Sequence, residues 1–344
     1  MTREAMHIAI LHPHIPPDAP PDDQDTLVQA DAVEAALRQL GHRVERIGCT
    51  LDLAALRRAV LAARPEVVFN LAEVLDGADA LQHVPPALLD TLGVRYTGSP
   101  TEAIFQTTHK LLAKQILSLA GLPTPAWTPS HFSVPRVSVP SLPGLAAPCI
   151  LKAVWEHASR GLDDANVILQ GDAQVVAERL AEFAARSGRP CFAEQFIEGR
   201  EFNLAILDGS AGPELLPAAE IDFAAFPPGK PRIVGHRAKW VAGSFEFENT
   251  PPRFDFPDQD RPLLDQIGNL ASACWRQFGL RGYARVDFRV DPQPRPWILE
   301  INTNPCLAPD AGFAAALARA GIPFPQAIQR ILDAATRGHG DGGN

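Results

Sequence analysis

The chain contains no window of ~18 consecutive apolar residues, the length a membrane-spanning helix needs. Its N-terminus has no basic region followed by an apolar stretch, so no secretory signal is expected. Basic runs are absent too: 31 Lys and Arg stand against 40 Asp and Glu, a net charge of -9. That balance does not suit nucleic acid or an anionic membrane, and small molecules are the expected partners. Any anionic substrate must then meet cations placed locally. Cysteine is scarce. Cys49, Cys149, Cys191, Cys274 and Cys306 are scattered with no metal-like pairing, and read as small hydrophobes in a reducing, cytoplasmic compartment. There is no internal repeat and no G-x-G-x-x-G, so a dinucleotide fold with its usual phosphate loop is not supported.

With 344 residues, 46% of them hydrophobic, the chain can build two or three compact domains in contact. The spacing predicts a strand over 7–11 and a Pro- and Asp-rich loop through Asp25. A helix follows, carrying Val33, Ala36, Leu37 and Leu40 and closed by Gly41. Strands over 43–47, 66–71 and 94–96 alternate with helices over 52–63 and 85–92, which implies a small doubly wound sheet. Ser99, Pro100 and Glu102 suit a capped helix start, and that helix is expected to run to Ala120 with Gly121 as its stop. A Pro- and Ser-rich connector over 128–148 is followed by a strand over 149–154, a helix over 173–187 and strands over 191–197 and 201–207. A helix over 263–278, two more strands and a final helix over 324–335 complete the pattern. The fold class is α/β, turning to α+β in the C-terminal part. The expected divisions are 1–100, 101–190 and 191–338, with 339–344 a disordered tail.

Residues 283–302 carry the most chemistry. In Y-A-R-V-D-F-R-V, Ala284, Val286, Phe288 and Val290 share one strand face, and Tyr283, Arg285, Asp287 and Arg289 the other. After the turn D-P-Q-P-R-P, the run W-I-L-E-I-N puts Trp297, Leu299 and Ile301 on one face and Glu300 and Asn302 opposite. Paired as a hairpin, Asp287, Glu300 and Asn302 converge as two carboxylates and an amide oxygen, hard ligands suited to Mg²⁺ and nucleotide phosphate. Arg285, on the same face, could contact that phosphate. Alternation alone fits a solvated amphipathic hairpin better. The N-T-N-P continuation directly after the acid tips the reading towards a metal site.

R-V-D-F followed by L-E-I-N-T-N-P closely resembles the metal-binding end of the ATP-grasp superfamily, in particular the D-alanine–D-alanine ligase family. V-F-N-L and Y-T-G-S resemble the end of that family's N-terminal Rossmann-like domain. T-H-K-L-L-A-K-Q-I-L and A-G-L-P-T-P resemble the start of its second domain. C-I-L-K-A-V, A-E-Q-F-I-E-G-R-E-F and A-K-W resemble its nucleotide segments, so the resemblance spans most of the chain in order. It implies an ATP-grasp fold. Lys110 and Lys152 would contact nucleotide phosphates. Glu194, Gln195 and Ile197 would border the adenine, and Glu201 would bind ribose. Lys239, on a mobile loop, would reach the terminal phosphate, and Ser159 and Gly161 would belong to a phosphate-covering loop. The metal implied at Asp287, Glu300 and Asn302 is Mg²⁺, with Mn²⁺ as a substitute. A homodimer is expected on resemblance alone.

The implied activity is ATP-dependent joining of a small carboxylate to an amine through an acyl phosphate, with Arg285 and Lys239 stabilising the transferring group. An ATP-grasp ligase with a non-amine acceptor and a non-catalytic ATP binder are the alternatives. The sequence departs from the family at the acceptor. Cys306 stands where a glycine follows N-T-x-P, and Ala311 and Gly312 replace a Ser-Leu pair. Asp25 and Glu73 are the candidates for the acid that meets the first substrate. These departures argue against two D-alanines as substrates. His12 and His14 have no evident partner ligands and read as a polar loop after a strand.

Overall fold

The computed structural model of the chain describes residues 4–16, 19, 21–128, 144–156 and 159–337. Most of the predicted connector, residues 157 and 158 of the loop expected to cover phosphate, and the tail over 339–344 lie outside them.

The N-terminal sheet is parallel, in the order β2-β1-β3, from β1 (His7–Pro13), β2 (Arg43–Cys49) and β3 (Val67–Asn70). Both faces of β1 are buried, so it reads as a continuous apolar run. Ile8 and Ile10 pack towards α1 (Pro21–Gln39). Ala9 and Leu11 pack towards α2 (Leu53–Ala63) and α3 (Val84–Leu92). Two expectations are corrected here. The first helix begins at Pro21, whose fixed φ suits a first turn, so Asp25 lies inside α1 and not before it. The strand predicted over 94–96 is reduced to a single bridge, Val68 to Tyr96.

The helix predicted up to Ala120 is two helices, α4 (Thr101–Thr108) and α5 (Lys110–Leu119). His109 breaks them with ψ 92°, and its ring caps α5 by accepting from Leu112 N. The ring also meets Trp155 edge-on at 4.4 Å, while Lys110 N donates to Val154 O at 3.1 Å. Tertiary contacts thus outbid local propensity. The expected capping box does not form: Pro100 is the N-cap, and the Ser99 hydroxyl donates to Arg281 O instead.

A second, antiparallel sheet has the order β5-β4-β6, from β4 (Cys149–Ala153), β5 (Val167–Ile168) and β6 (Cys191–Gln195). Its one face packs Cys149, Leu151 and Ala193 under α6 (Ala173–Ser187). Its other face carries Ile150, Lys152 and Glu194.

The largest sheet is antiparallel. Its strands are β7 (Arg200–Leu207), β8 (Glu214–Leu215), β9 (Ala219–Ile221), β10 (Pro252–Arg253), β11 (Tyr283–Val290) and β12 (Pro296–Asn302). Between β9 and β10 run the short helices α7 (His236–Trp240) and α8 (Phe245–Glu248). Behind the sheet, α9 (Arg261–Gln277) presents Ile267, Ala271 and Cys274 to Phe202, Leu204, Val286 and Phe288. The alternate residues of β7 and β11 face the opposite way. The chain ends in α10 (Gly312–Arg319) and α11 (Phe324–Arg337), whose Ile328, Ile331 and Leu332 join the core of β1 and α1. Among the described residues no helix is long and apolar enough to cross a membrane.

The hairpin register opposes Asp287 to Glu300 and Arg285 to Asn302. A bulge after Asp287 pairs Phe288 with Ile298, which corrects the predicted faces. Ile298 joins Ile301 in the core beneath α9, while Leu299 lines the cavity with Glu300 and Trp297 is only half-buried. A bulge shifts the alternation by one residue.

Candidate active site

The β4–β6 sheet and the free face of the largest sheet enclose a cavity of about 540 Å³. Of the residues named in the sequence for nucleotide, metal, catalysis or substrate, all but Gly161 line it. Gly161 sits beside it at φ 74°, a conformation glycine adopts without strain. Ser159 also has a positive φ and donates to Val234 O at 3.0 Å. His12 and His14 are not among the lining residues.

One wall is cationic. Lys152 reaches one oxygen of Glu194 at 2.6 Å, and Lys114 the other at 2.5 Å. Burial works to raise the Glu194 carboxyl, and the two lysines outweigh it and hold it below its usual range. Lys110 pairs with Glu300 at 2.6 Å. Burial opposes the charge of Lys110, but Glu300 and Glu156 more than restore it. Glu300 is itself pulled well down, because Lys110 and Lys239 overcome the effect of its burial. Lys239 is shifted down by burial and by Arg285.

At the hairpin, Arg285 clasps both oxygens of Asp287, at 2.7 and 2.8 Å. Asn203 and Asn302 donate to the same carboxylate at 2.8 and 3.0 Å, and the Asn302 amide also lies 3.4 Å from Glu300. A guanidinium therefore stands against the all-oxygen set where a divalent cation would sit, so these donors fit Mg²⁺ or Mn²⁺. Among the described residues no cluster of three or more His, Cys, Asp or Glu forms a metal centre. The fit therefore relies on an amide oxygen, phosphate and water.

A further stretch of the cavity wall is built from β6, the residues after it and β11. Arg289, 4% exposed, donates to Ile197 O at 2.9 Å and to Glu201 at 3.1 Å, and lies over the Phe196 ring. Burial raises the Glu201 carboxyl against the pull of Arg289.

Three comparisons bear on this geometry. A protein-family model described as D-ala D-ala ligase C-terminus matches residues 142–333. The chain is 32% identical to a D-alanine–D-alanine ligase of Moorella thermoacetica, over 90% of this chain and 94% of that protein. It is 31% identical to an uncharacterized protein, y4sG, of Sinorhizobium fredii, over 90% of this chain and 87% of that protein. The chain belongs to the D-alanine–D-alanine ligase family. It shares its fold with the D-alanine–D-alanine ligase of Bacillus anthracis complexed with ATP, at a TM-score of 0.70 and 18% identity over 97% of this chain and 98% of that one. The fold is ATP-grasp, and the family's members are ATP-dependent carbon–nitrogen ligases.

The residues named in the sequence for substrate line the same cavity. The Cys306 thiol donates to Asp25 at 3.1 Å, and burial pushes that thiol far up, away from the reactive thiolate. Gln29 donates to Glu73 at 2.6 Å, and burial raises Glu73 to about 7. Ala311 caps α10 with no side-chain hydrogen bond.

Sequence reasoning missed Lys114, Glu156 and Arg289 as site residues. A signal for the first was present: the chain has only five lysines, and Lys110, Lys114, Lys152 and Lys239 gather here. Glu156 is raised to about 7, by burial against the pull of Lys110.

Proposed function

We propose that this chain joins a small carboxylate to an amine, using ATP through an acyl phosphate and releasing ADP and phosphate, on substrates other than two D-alanines. The supporting observation is convergence. Arg285, Asp287, Glu300 and Asn302 from one hairpin meet Lys110, Lys152 and Lys239 from three other segments inside a single cavity. In this reading Lys110, Lys152 and Lys239 hold the phosphates, with Ser159 and Gly161 in the loop that covers them. Glu194, Gln195 and Ile197 border the base, and Glu201 takes the ribose. Asp287, Glu300 and Asn302 would hold a divalent cation, which would supply positive charge to the phosphoryl oxygens.

The substrate carboxylate attacks the γ-phosphorus and ADP leaves. The amine then attacks the acyl carbon, and phosphate departs with the C–O electron pair. Arg285 and Lys239 stabilise the negative charge on the transferring group, which is where preorganised cations act most strongly. Neither step needs a protein nucleophile. The argument against two D-alanines is local. An acceptor carboxylate needs donors, and Ala311 supplies no hydroxyl where the family has serine.

ADP release measured by a coupled assay over pairs of amino acids tests this. Mg²⁺-dependent release, faster with some pair than with D-alanine alone, is the expected result. If ATP binds and no pair releases ADP, the protein is a non-catalytic binder. If D-alanine alone outperforms every pair, the substrate argument is wrong.

A further inference from the structure

The cavity gathers more carboxyl groups near its substrate residues than one amino group can answer. Asp25, Glu73 and Asp310 all line it. Burial raises the Asp25 carboxyl, and Asp310 adds repulsion that raises it further. Burial likewise raises Glu73, with Asp25 and Asp79 repelling its charge. Among the described residues none of Asp25, Glu73 and Asp310 is in an ion pair. Arg285 feels Glu73, but its guanidinium is committed to both oxygens of Asp287. Grouped carboxylates in a partly desolvated cavity repel one another, and a cation placed among them relieves the cost.

A second observation points to a ligand here independently of charge. Asn304 lines the same cavity and is 8% exposed. Its Oδ1 accepts from the buried Tyr283 hydroxyl, which fixes the amide, while its Nδ2 has no partner among the described residues. Asn304 also lies two residues before Cys306, whose thiol donates to Asp25, so this loop runs beside the acids. A buried amide donor without a partner is costly, and an oxygen of a bound molecule satisfies it. Space is available as well. Ala311, Gly312 and Ala315 line the cavity next to Asp310, and a Cβ added at Gly312 meets nothing within 4 Å.

Resting on the ligase reading above, we propose that one of the two substrates is an amino acid with a second cationic nitrogen on its side chain. A diamino acid is the simplest member of this class. One ammonium faces Asp25 and Glu73, the side-chain cation faces Asp310 across the small residues of α10, and a substrate oxygen accepts from Asn304 Nδ2.

The test is calorimetric and does not depend on turnover. Ornithine and norvaline, which differ by the terminal amine, are titrated as each enantiomer into the enzyme holding Mg²⁺ and a non-hydrolysable ATP analogue. One enantiomer of ornithine should bind at least ~10-fold more tightly than the matching norvaline, as a well-placed charge pair can supply. Asp310→Asn, an exposed change at the rim, should shrink that ratio, and Glu73→Gln should weaken both amino acids alike, each leaving affinity for the analogue unaltered. Equal affinity for the two amino acids, no binding of either, or a ratio unchanged in Asp310→Asn overturns the proposal. Tight ornithine binding without ADP release for any pair would refute the ligase reading alone. ADP release with equal binding of ornithine and norvaline would refute only the diamino preference.

Discussion

Replacing Lys114 by methionine should cost far more stability than an ordinary helix-surface lysine. Its side chain is 2% exposed and its partner Glu194 1% exposed, with 2.5 Å between them. The ammonium also donates to Thr124 at 2.8 Å and to Pro125 O at 3.3 Å, and lies 5.6 Å from the Trp127 ring centre. Removing one member of a buried ion pair costs about 3–5 kcal/mol, because the other charge is left uncompensated. Here Lys152 still holds the second oxygen of Glu194 at 2.6 Å, so the cost belongs at the lower end, about 3 kcal/mol. Urea unfolding of the ligand-free enzyme measures it. In the double variant Lys114→Met/Glu194→Gln the loss should fall short of the sum of the single losses, since the stranded charge is gone. A loss below about 1 kcal/mol for Lys114→Met would mean that the pair is hydrated and that this wall of the cavity is not desolvated.

Other outcomes follow from the same geometry. Lys152→Ala should weaken ATP binding strongly, and calorimetry showing unchanged affinity would remove Lys152 from the nucleotide site. Arg289→Met frees Glu201 and the Ile197 carbonyl, so KM for ATP should rise with little change in kcat; a fall in kcat alone would contradict this. Glu73 and Glu156 are each raised from about 4.5 to about 7 by burial, so the folded state holds protons that the unfolded state has lost. Stability of the ligand-free enzyme should therefore fall as pH rises from about 4.5 to 7, on the order of 3 kcal/mol for each group, and Glu73→Gln should flatten the slope. A slope unchanged in that variant would show Glu73 ionised throughout.

The hairpin was legible because a strand's two-residue period separates Asp287 and Arg285 from Val286 and Phe288 without knowledge of any partner. Its bulge was not legible, since that depends on how β11 and β12 pair, and it moved Ile298 into the core and Leu299 to the cavity. The helix break at His109 likewise comes from Trp155 and Val154, contacts that no local pattern around Thr108 announces. Pro21 pointed in both directions: a Pro-rich stretch reads as loop, yet proline is well suited to open a helix, and α1 begins there. Lys114 looked like any helical lysine, because its burial arises from Glu194, 80 residues away in sequence. The substrate residues stayed open because Asp25, Glu73 and the loop carrying Asn304 and Asp310 are far apart in sequence, and only the folded chain shows them lining one cavity.

The central claim is an acyl phosphate made at the expense of ATP in this cavity. The most direct measurement follows nucleotide products and amide together in one reaction with an active substrate pair, by mass spectrometry, for the wild-type enzyme and for Glu300→Gln. The account predicts one ADP and one phosphate per amide bond in the wild type, and neither ADP nor amide in a Glu300→Gln variant that remains folded. AMP and pyrophosphate as products, or turnover at the wild-type rate in Glu300→Gln, would contradict it.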